Sequence, residues 1–209
     1  MAARSVGGLD PSASPRRPSG VAVIELEGRR LARVELLRGD PEIVAALEGV
    51  DALAVDSPLS IPAAGAFREV DLEMMRRGFR VLPPSWRGMS MLVERSTRLL
   101  RMIGAPAFET HPRSALAASG CRGVEELLGA LGISHGALPG SRDALDAVIA
   151  AAVALEVVEG SATEVRAPDG SIYLIPRVCR TPARASRRRR RTASWRPGPP
   201  ATSDPWPPP

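Results

Sequence analysis

The order of elements written into the first 58 residues constrains this chain most. Val6 to Leu9 is short and apolar and stops at Asp10-Pro11, a turn signal. Gly20 to Glu27 and Arg30 to Leu37 predict two strands, with Gly28-Arg29 as the turn between them. Pro41 to Glu48 predicts a short helix, with Asp40 as its cap and Pro41 suited to its first turn. Ala52 to Val55 predicts a fourth strand that ends at Asp56-Ser57-Pro58. Three strands, a helix and a strand in that order call for an α/β domain. Two of its strands end in an aspartate.

The remaining pattern adds helices. Phe67 to Arg77 and Met89 to Ile103 predict helices stopped by Gly78 and Gly104. Between them lies an extended piece, FRVLPPSW. Ala107 to Thr110 predicts a fifth strand, and Pro112 to Ala118 and Val124 to Leu131 predict short helices. A long helix is expected from a Ser141 cap to about Glu159, then a hairpin through Pro168-Asp169-Gly170. Residues 1–178 are thus expected to form one domain. Residues 179–209 are Arg- and Pro-rich and too poor in patterned apolar residues to offset their ordering entropy, so a disordered tail is expected there.

The net charge of +5 invites a nucleic-acid reading, but its location weakens it. Residues 180–209 hold eight Arg and one Asp, whereas residues 1–179 hold 20 Arg and 22 acidic residues. The folded part must therefore justify any polyanion partner by local patches. The longest helical apolar run, Ala147 to Leu155, is too short to span a bilayer. No membrane association and a cytoplasmic location are expected. Cys121 and Cys179 have no spacing typical of zinc or redox motifs, and a reducing compartment is the default expectation. Lys, Asn and Gln are absent altogether. GC-rich coding would deplete the first two, and a hot habitat would disfavour heat-labile amides.

Four groups of residues could carry chemistry. Asp10 and Asp56 close the first and fourth strands. If those strands are parallel neighbours, both carboxylates emerge at the strand ends where open α/β sheets place ligands. Two close carboxylates repel unless a cation joins them, and an oxygen-only donor set favours Mg²⁺ or Mn²⁺. Asp also starts turns well, so each residue alone fits a plain turn. Asp143 and Asp146 stand three apart on one face of the late helix. Asp143 equally suits the helix dipole, whereas Asp146 sits where Asp is a poor helix former.

Glu109 and His111 alternate on the fifth strand and could ligate metal, orient water or move a proton, with Arg113 beyond them for a phosphate. The same residues fit a strand edge with Thr110 or His111 as a helix cap. Finally, residues 68–113 hold nine Arg and five acidic residues. Arg68, Arg76, Arg77, Arg80, Arg87 and Arg95 around Trp86 would suit a phosphate backbone with a stacking aromatic. A solvated helix with Glu73–Arg77 and Glu94–Arg98 pairs explains the same charges. No Walker-type phosphate loop or nucleophilic serine motif occurs.

Taken together, LDPSASPRRPSGVAV, VDSPLSIP, FREVDLEMMRRGFRVLPPSWRGM, ETHPRSAL and SRDALDAVIAA resemble the predicted nucleases of the RNase H-like fold catalogued as domain-of-unknown-function family 429. The resemblance covers about residues 5–178. The DALDA segment is also similar to the late-helix motif of RuvC-type resolvases. The resemblance implies a mixed five-stranded sheet of order 3-2-1-4-5 with helices on both faces. It places Asp10, Asp56 and the Asp143/Asp146 pair where that superfamily carries metal-binding acids, with Asp56 a shorter arm than the Glu of many relatives. It implies a nuclease using two Mg²⁺ or Mn²⁺ ions on a nucleic-acid partner of unspecified type. Two alternatives share the fold: a non-catalytic nucleic-acid-binding module, and a nucleotide-dependent phosphotransferase. The latter would need duplicated domains and glycine-rich phosphate loops. Oligomeric state is not legible.

Overall fold

The structure, a computed structural model, describes residues 4–179. The expected tail lies outside the described residues, apart from Cys179. The central sheet runs β3-β2-β1-β4-β5. Its strands are β1 (Ser5–Asp10), β2 (Ser19–Glu25), β3 (Arg30–Leu37), β4 (Ala52–Val55) and β5 (Ala107–Glu109). β1, β2 and β3 pair antiparallel; β1 with β4 and β4 with β5 pair parallel. This is the RNase H-like topology. β1 and β4 are parallel neighbours, as a joint role for Asp10 and Asp56 requires.

Helices cover both faces. On one lie α1 (Asp40–Leu47) and α3 (Arg87–Ile103), packing Ile43, Leu47 and Leu99 against Leu9, Val21, Leu53 and Val55. On the other lies α6 (Arg142–Val158), buried over nearly its whole length. Around it stand α2 (Glu69–Arg76), α4 (Pro112–Ser119) and α5 (Val124–Ala130). A hairpin, β6 (Thr163–Ala167) and β7 (Gly170–Leu174), extends the edge of β5 through a Thr110–Tyr173 bridge. Its turn does more than reverse the chain. The Asp169 carboxylate accepts the Glu69 and Val70 N–H groups (2.5 and 3.0 Å), which caps α2 from another element.

Several local expectations change. Asp40 does not cap α1, whose N-cap is Gly39; it pairs instead with Arg95 and Arg98 of α3. Arg98 therefore pairs with Asp40 in place of the anticipated Glu94. Arg95 is no phosphate arm. It is buried and donates to the Ser12 carbonyl (2.6 Å) and to the Ser12 and Ser19 hydroxyls, which clamps the loop after Asp10. Cys121 and Cys179 are joined in a disulfide. Their 58-residue separation in sequence concealed proximity in space, and the cysteines no longer speak for a reducing compartment. Among the described residues no helix is long and apolar enough to cross a membrane.

The close seat of α6 depends on glycine. A Cβ at Gly8 would fall on the Ala147 carbonyl oxygen and the Ala151 amide nitrogen; one at Gly20 would fall on the Asp143 carbonyl. Gly20 is the register partner of Asp10. Bare backbone on β1 and β2 thus lets α6 approach until its first turns overlie the strand ends. Gly8→Ala forces helix and sheet apart, an overpacking cost of about 1–3 kcal/mol or more. The melting temperature is expected to fall by on the order of 5 °C; an unchanged value in thermal unfolding would contradict this seat.

Candidate metal centre

Strand periodicity decides which aspartates meet. Side chains alternate between faces with period two. On β1, Gly8 and Asp10 share the face beneath α6; on β4, Ala52, Ala54 and Asp56 do the same, since both alanines belong to the α6 core. Small side chains bring the helix down, and the next position on that face is an acid at the strand's carboxyl end. From above, α6 supplies Asp146 one turn inside its start. One carboxylate oxygen each from Asp10, Asp56 and Asp146 then lie within 4.8 Å of one another.

The electrostatics of this triad differ from those of the acids that arginines hold. Asp71 and Glu109 are neutralised by Arg68, and Asp40 by Arg95 and Arg98. Asp10, Asp56 and Asp146 form no ion pair among the described residues. Burial, then repulsion from Asp56, Asp146 and Asp143, pushes Asp10 up to about 8; Arg113 pulls it back only in part. Burial, with repulsion from Asp146, pushes Asp56 up to about 7. Burial also raises Asp146, against the pull of Arg113 and Arg142. Three hard oxygen donors that cannot all ionise beside one another are what a divalent cation would relieve, so the residues fit Mg²⁺ or Mn²⁺.

The triad lies in a cavity of about 720 Å³. Asp143, Glu109, His111, Arg68, Arg80 and Arg113 also line it, whereas Arg76, Arg77 and Arg87 are not among its lining. Asp143 is exposed in the first turn of α6 and contributes charge near Asp10 without joining the triad. Glu109 stands in register with Val55, out of phase with the Ala54–Asp56 face. Its carboxylate is taken by Arg68 (2.5 and 2.8 Å) and by the Leu59 N–H (2.9 Å). Arg68, expected as a substrate contact, is buried and holds Asp71 as well (2.8 Å). His111 is the N-cap residue of α4, with no side-chain cap; its Nδ1 lies 2.6 Å from the Ser114 hydroxyl. Burial, and secondarily Arg113, lowers its pKa, so it is neutral at pH 7. Arg76 and Arg77 pair with Glu73 on the exposed side of α2, the solvated-face arrangement.

Sequence reasoning missed Arg142, which lines the cavity beside Asp143, and the apolar wall of Phe79, Val81, Leu82, Met89 and Leu92. The available signal for the wall was the extended FRVLPPSW piece, whose apolar residues matched neither helix nor paired strand. Trp86, the expected stacking aromatic, is 58% exposed and is not among the cavity lining.

Compared by sequence, the chain matches no family model and no curated protein. The resemblance to family 429 is therefore not borne out by any family model, and what stands of it is the sheet order 3-2-1-4-5. Among solved structures the chain is similar to Thermus thermophilus RuvC, at 16% identity over 75% of this chain and 97% of that one, TM-score 0.44. A second structure, T. thermophilus RuvC in complex with Holliday junction substrate, gives 17% identity, 76% and 97% coverage, and a TM-score of 0.43.

Proposed function

We propose that this chain is a metal-dependent nuclease that hydrolyses phosphodiester bonds in nucleic acid, and that residues 1–178 form its catalytic domain. One observation carries the reading: three carboxylates from β1, β4 and α6 converge at the carboxyl end of the sheet with no countercharge in contact, inside a cavity that also holds arginines. In this reading Asp10, Asp56 and Asp146 hold Mg²⁺ or Mn²⁺. We take the centre to use two such ions, for which Asp10, Asp56 and Asp146 would supply the oxygens. Bound ions of this kind activate water and stabilise a leaving oxygen. Asp143 adds negative charge at the rim.

The side chains of the cavity do the positioning. Arg113, Arg80 and Arg142 hold phosphate oxygens, and Arg113 also tempers the charge of the carboxylates. Burial lowers the pKa of His111, and with Nδ1–H donating to the Ser114 hydroxyl its Nε2 would be free to take up a proton. Arg68 and Glu109 act through structure, by fixing the segment that follows Asp56.

The test is a cleavage assay over DNA duplex, RNA, RNA–DNA hybrid and four-way junction, with Mn²⁺ or Mg²⁺ and with chelator. Cleavage of at least one substrate, abolished by chelator, is expected. Calorimetric titration showing no Mn²⁺ binding would overturn the reading. Because protons compete for the carboxylates, Mn²⁺ affinity is expected to rise with pH and level off only above about 8, where Asp10 is ionised without help.

A further inference from the structure

The cavity over the carboxylates is built from two kinds of wall. Charged lining comes from Arg113 of α4 and from Arg142 and Asp143 of α6. Apolar lining comes from the segment between α2 and α3, with Phe79, Val81 and Leu82, and from α3, with Met89 and Leu92. Leu82 is 58% exposed, an apolar side chain left in solvent at the mouth of a charged site. Phe79 is half-buried and rests on the core through its inner side. A surface made for a duplex would place basic and polar side chains along both phosphate strands, because backbone contacts dominate duplex binding. Here apolar side chains line the cavity beside its arginines. At about 720 Å³ the cavity is of the size that encloses a small ligand.

We propose that the wall formed by Phe79, Leu82 and Met89 receives an unpaired nucleobase, so that the substrate is single-stranded nucleic acid or a strand with a base out of the stack. This rests on the nuclease reading of the same cavity. Arg113 and Arg142 hold the backbone while the base of a neighbouring nucleotide lies against Phe79 and Leu82. A paired base keeps both faces in its helix and cannot reach this wall. Arrangements of basic track and stacking surface are how single strands and extruded bases are held. Arg80, in the same segment, also lines the cavity.

The test compares Mn²⁺-dependent cleavage of a single-stranded oligodeoxynucleotide, the same sequence as a duplex, and that duplex with one bulged nucleotide. The single strand and the bulge are expected to be cut at least about tenfold faster than the duplex. Leu82→Ala and Phe79→Ala are each expected to slow single-strand cleavage by about tenfold, the scale of one lost stacking contact. Leu82 is exposed, so its variant folds even if the Phe79 variant does not. Equal rates on all three substrates, stopped by chelator, would overturn the base pocket and leave the nuclease reading standing. If nothing is cut, the nuclease reading is decided by the wider substrate panel and by Mn²⁺ titration, and binding of a single strand carrying 2-aminopurine decides the pocket. Saturable quenching lost in Leu82→Ala supports it, and no quenching overturns it.

Discussion

Asp10→Asn is expected to abolish Mn²⁺ binding and cleavage while raising the melting temperature of the metal-free protein at pH 8. The substitution keeps size and removes charge at the group that carries most of the repulsion. The sign follows from linkage. Asp10 is raised from 3.8 to about 8 in the folded protein. Between those values the folded state binds more protons than the unfolded state, so stability falls as pH rises through the window. Asp56, raised to about 7, acts in the same direction. Wild type without metal should therefore melt highest near pH 4–5 and lose stability toward pH 8. The Asp10→Asn curve should be flatter and cross above it, by on the order of 5 °C at pH 8.

Saturating Mn²⁺ should invert the order, since a ligand at a hundredfold its Kd adds about 2.7 kcal/mol to the protein that binds it. Asp56→Asn should behave alike. Asp146→Asn should lose most cleavage, and Asp143→Asn less, because Asp143 stands outside the triad. Thermal unfolding at pH 5 and pH 8, with and without Mn²⁺, checks the stability order, and Mn²⁺-dependent cleavage by each variant checks the rest. A metal-free Asp10→Asn protein less stable than wild type at pH 8 would mean that Asp10 serves its turn and no ion.

Much of this centre was legible because it is local. Asp10-Pro11 and Asp56-Ser57-Pro58 announce strand ends, and DALDA announces a helix face. The strand order came through motif resemblance, since pairing of β1 with β4 is a long-range matter that periodicity does not encode. The role of Gly8 and Gly20 was hidden for a related reason. A glycine in a strand says that something approaches closely without saying what, and the partner is the backbone of residues 143–151, over a hundred positions away. The arginines misled most. Arg68, Arg80, Arg95 and Arg113 are chemically identical in sequence. Burial beside Asp71 and Glu109, or beside Ser12 and Asp40, turns Arg68 and Arg95 into clamps, while Arg80 and Arg113 remain at the cavity. Asp169 shows the same limit, a turn former locally and a helix cap in space.

Arg68 separates the two kinds of arginine by experiment. Its guanidinium joins Asp71 (2.8 and 3.1 Å) and Glu109 (2.5 and 2.8 Å), with all three side chains at most 8% exposed. Burial opposes the charge on Arg68, but the two carboxylates outweigh it and hold the guanidinium protonated. Arg68→Ala would leave two enclosed carboxylates without a partner, a loss of about 3–5 kcal/mol, or on the order of 10 °C in melting temperature. Glu109→Gln should cost less, because the amide oxygen still accepts from the Leu59 N–H and from Arg68. Arg68→Ala combined with Glu109→Gln should recover part of the loss, since one unpaired charge is gone, and the coupling between the two sites is the measured quantity. Arg113→Ala, at an exposed position, should leave stability nearly unchanged and weaken nucleic-acid binding instead. If Arg68→Ala melts like wild type and loses only nucleic-acid affinity, then Arg68 is a substrate contact, and the Asp71 and Glu109 pairs contribute nothing to the fold.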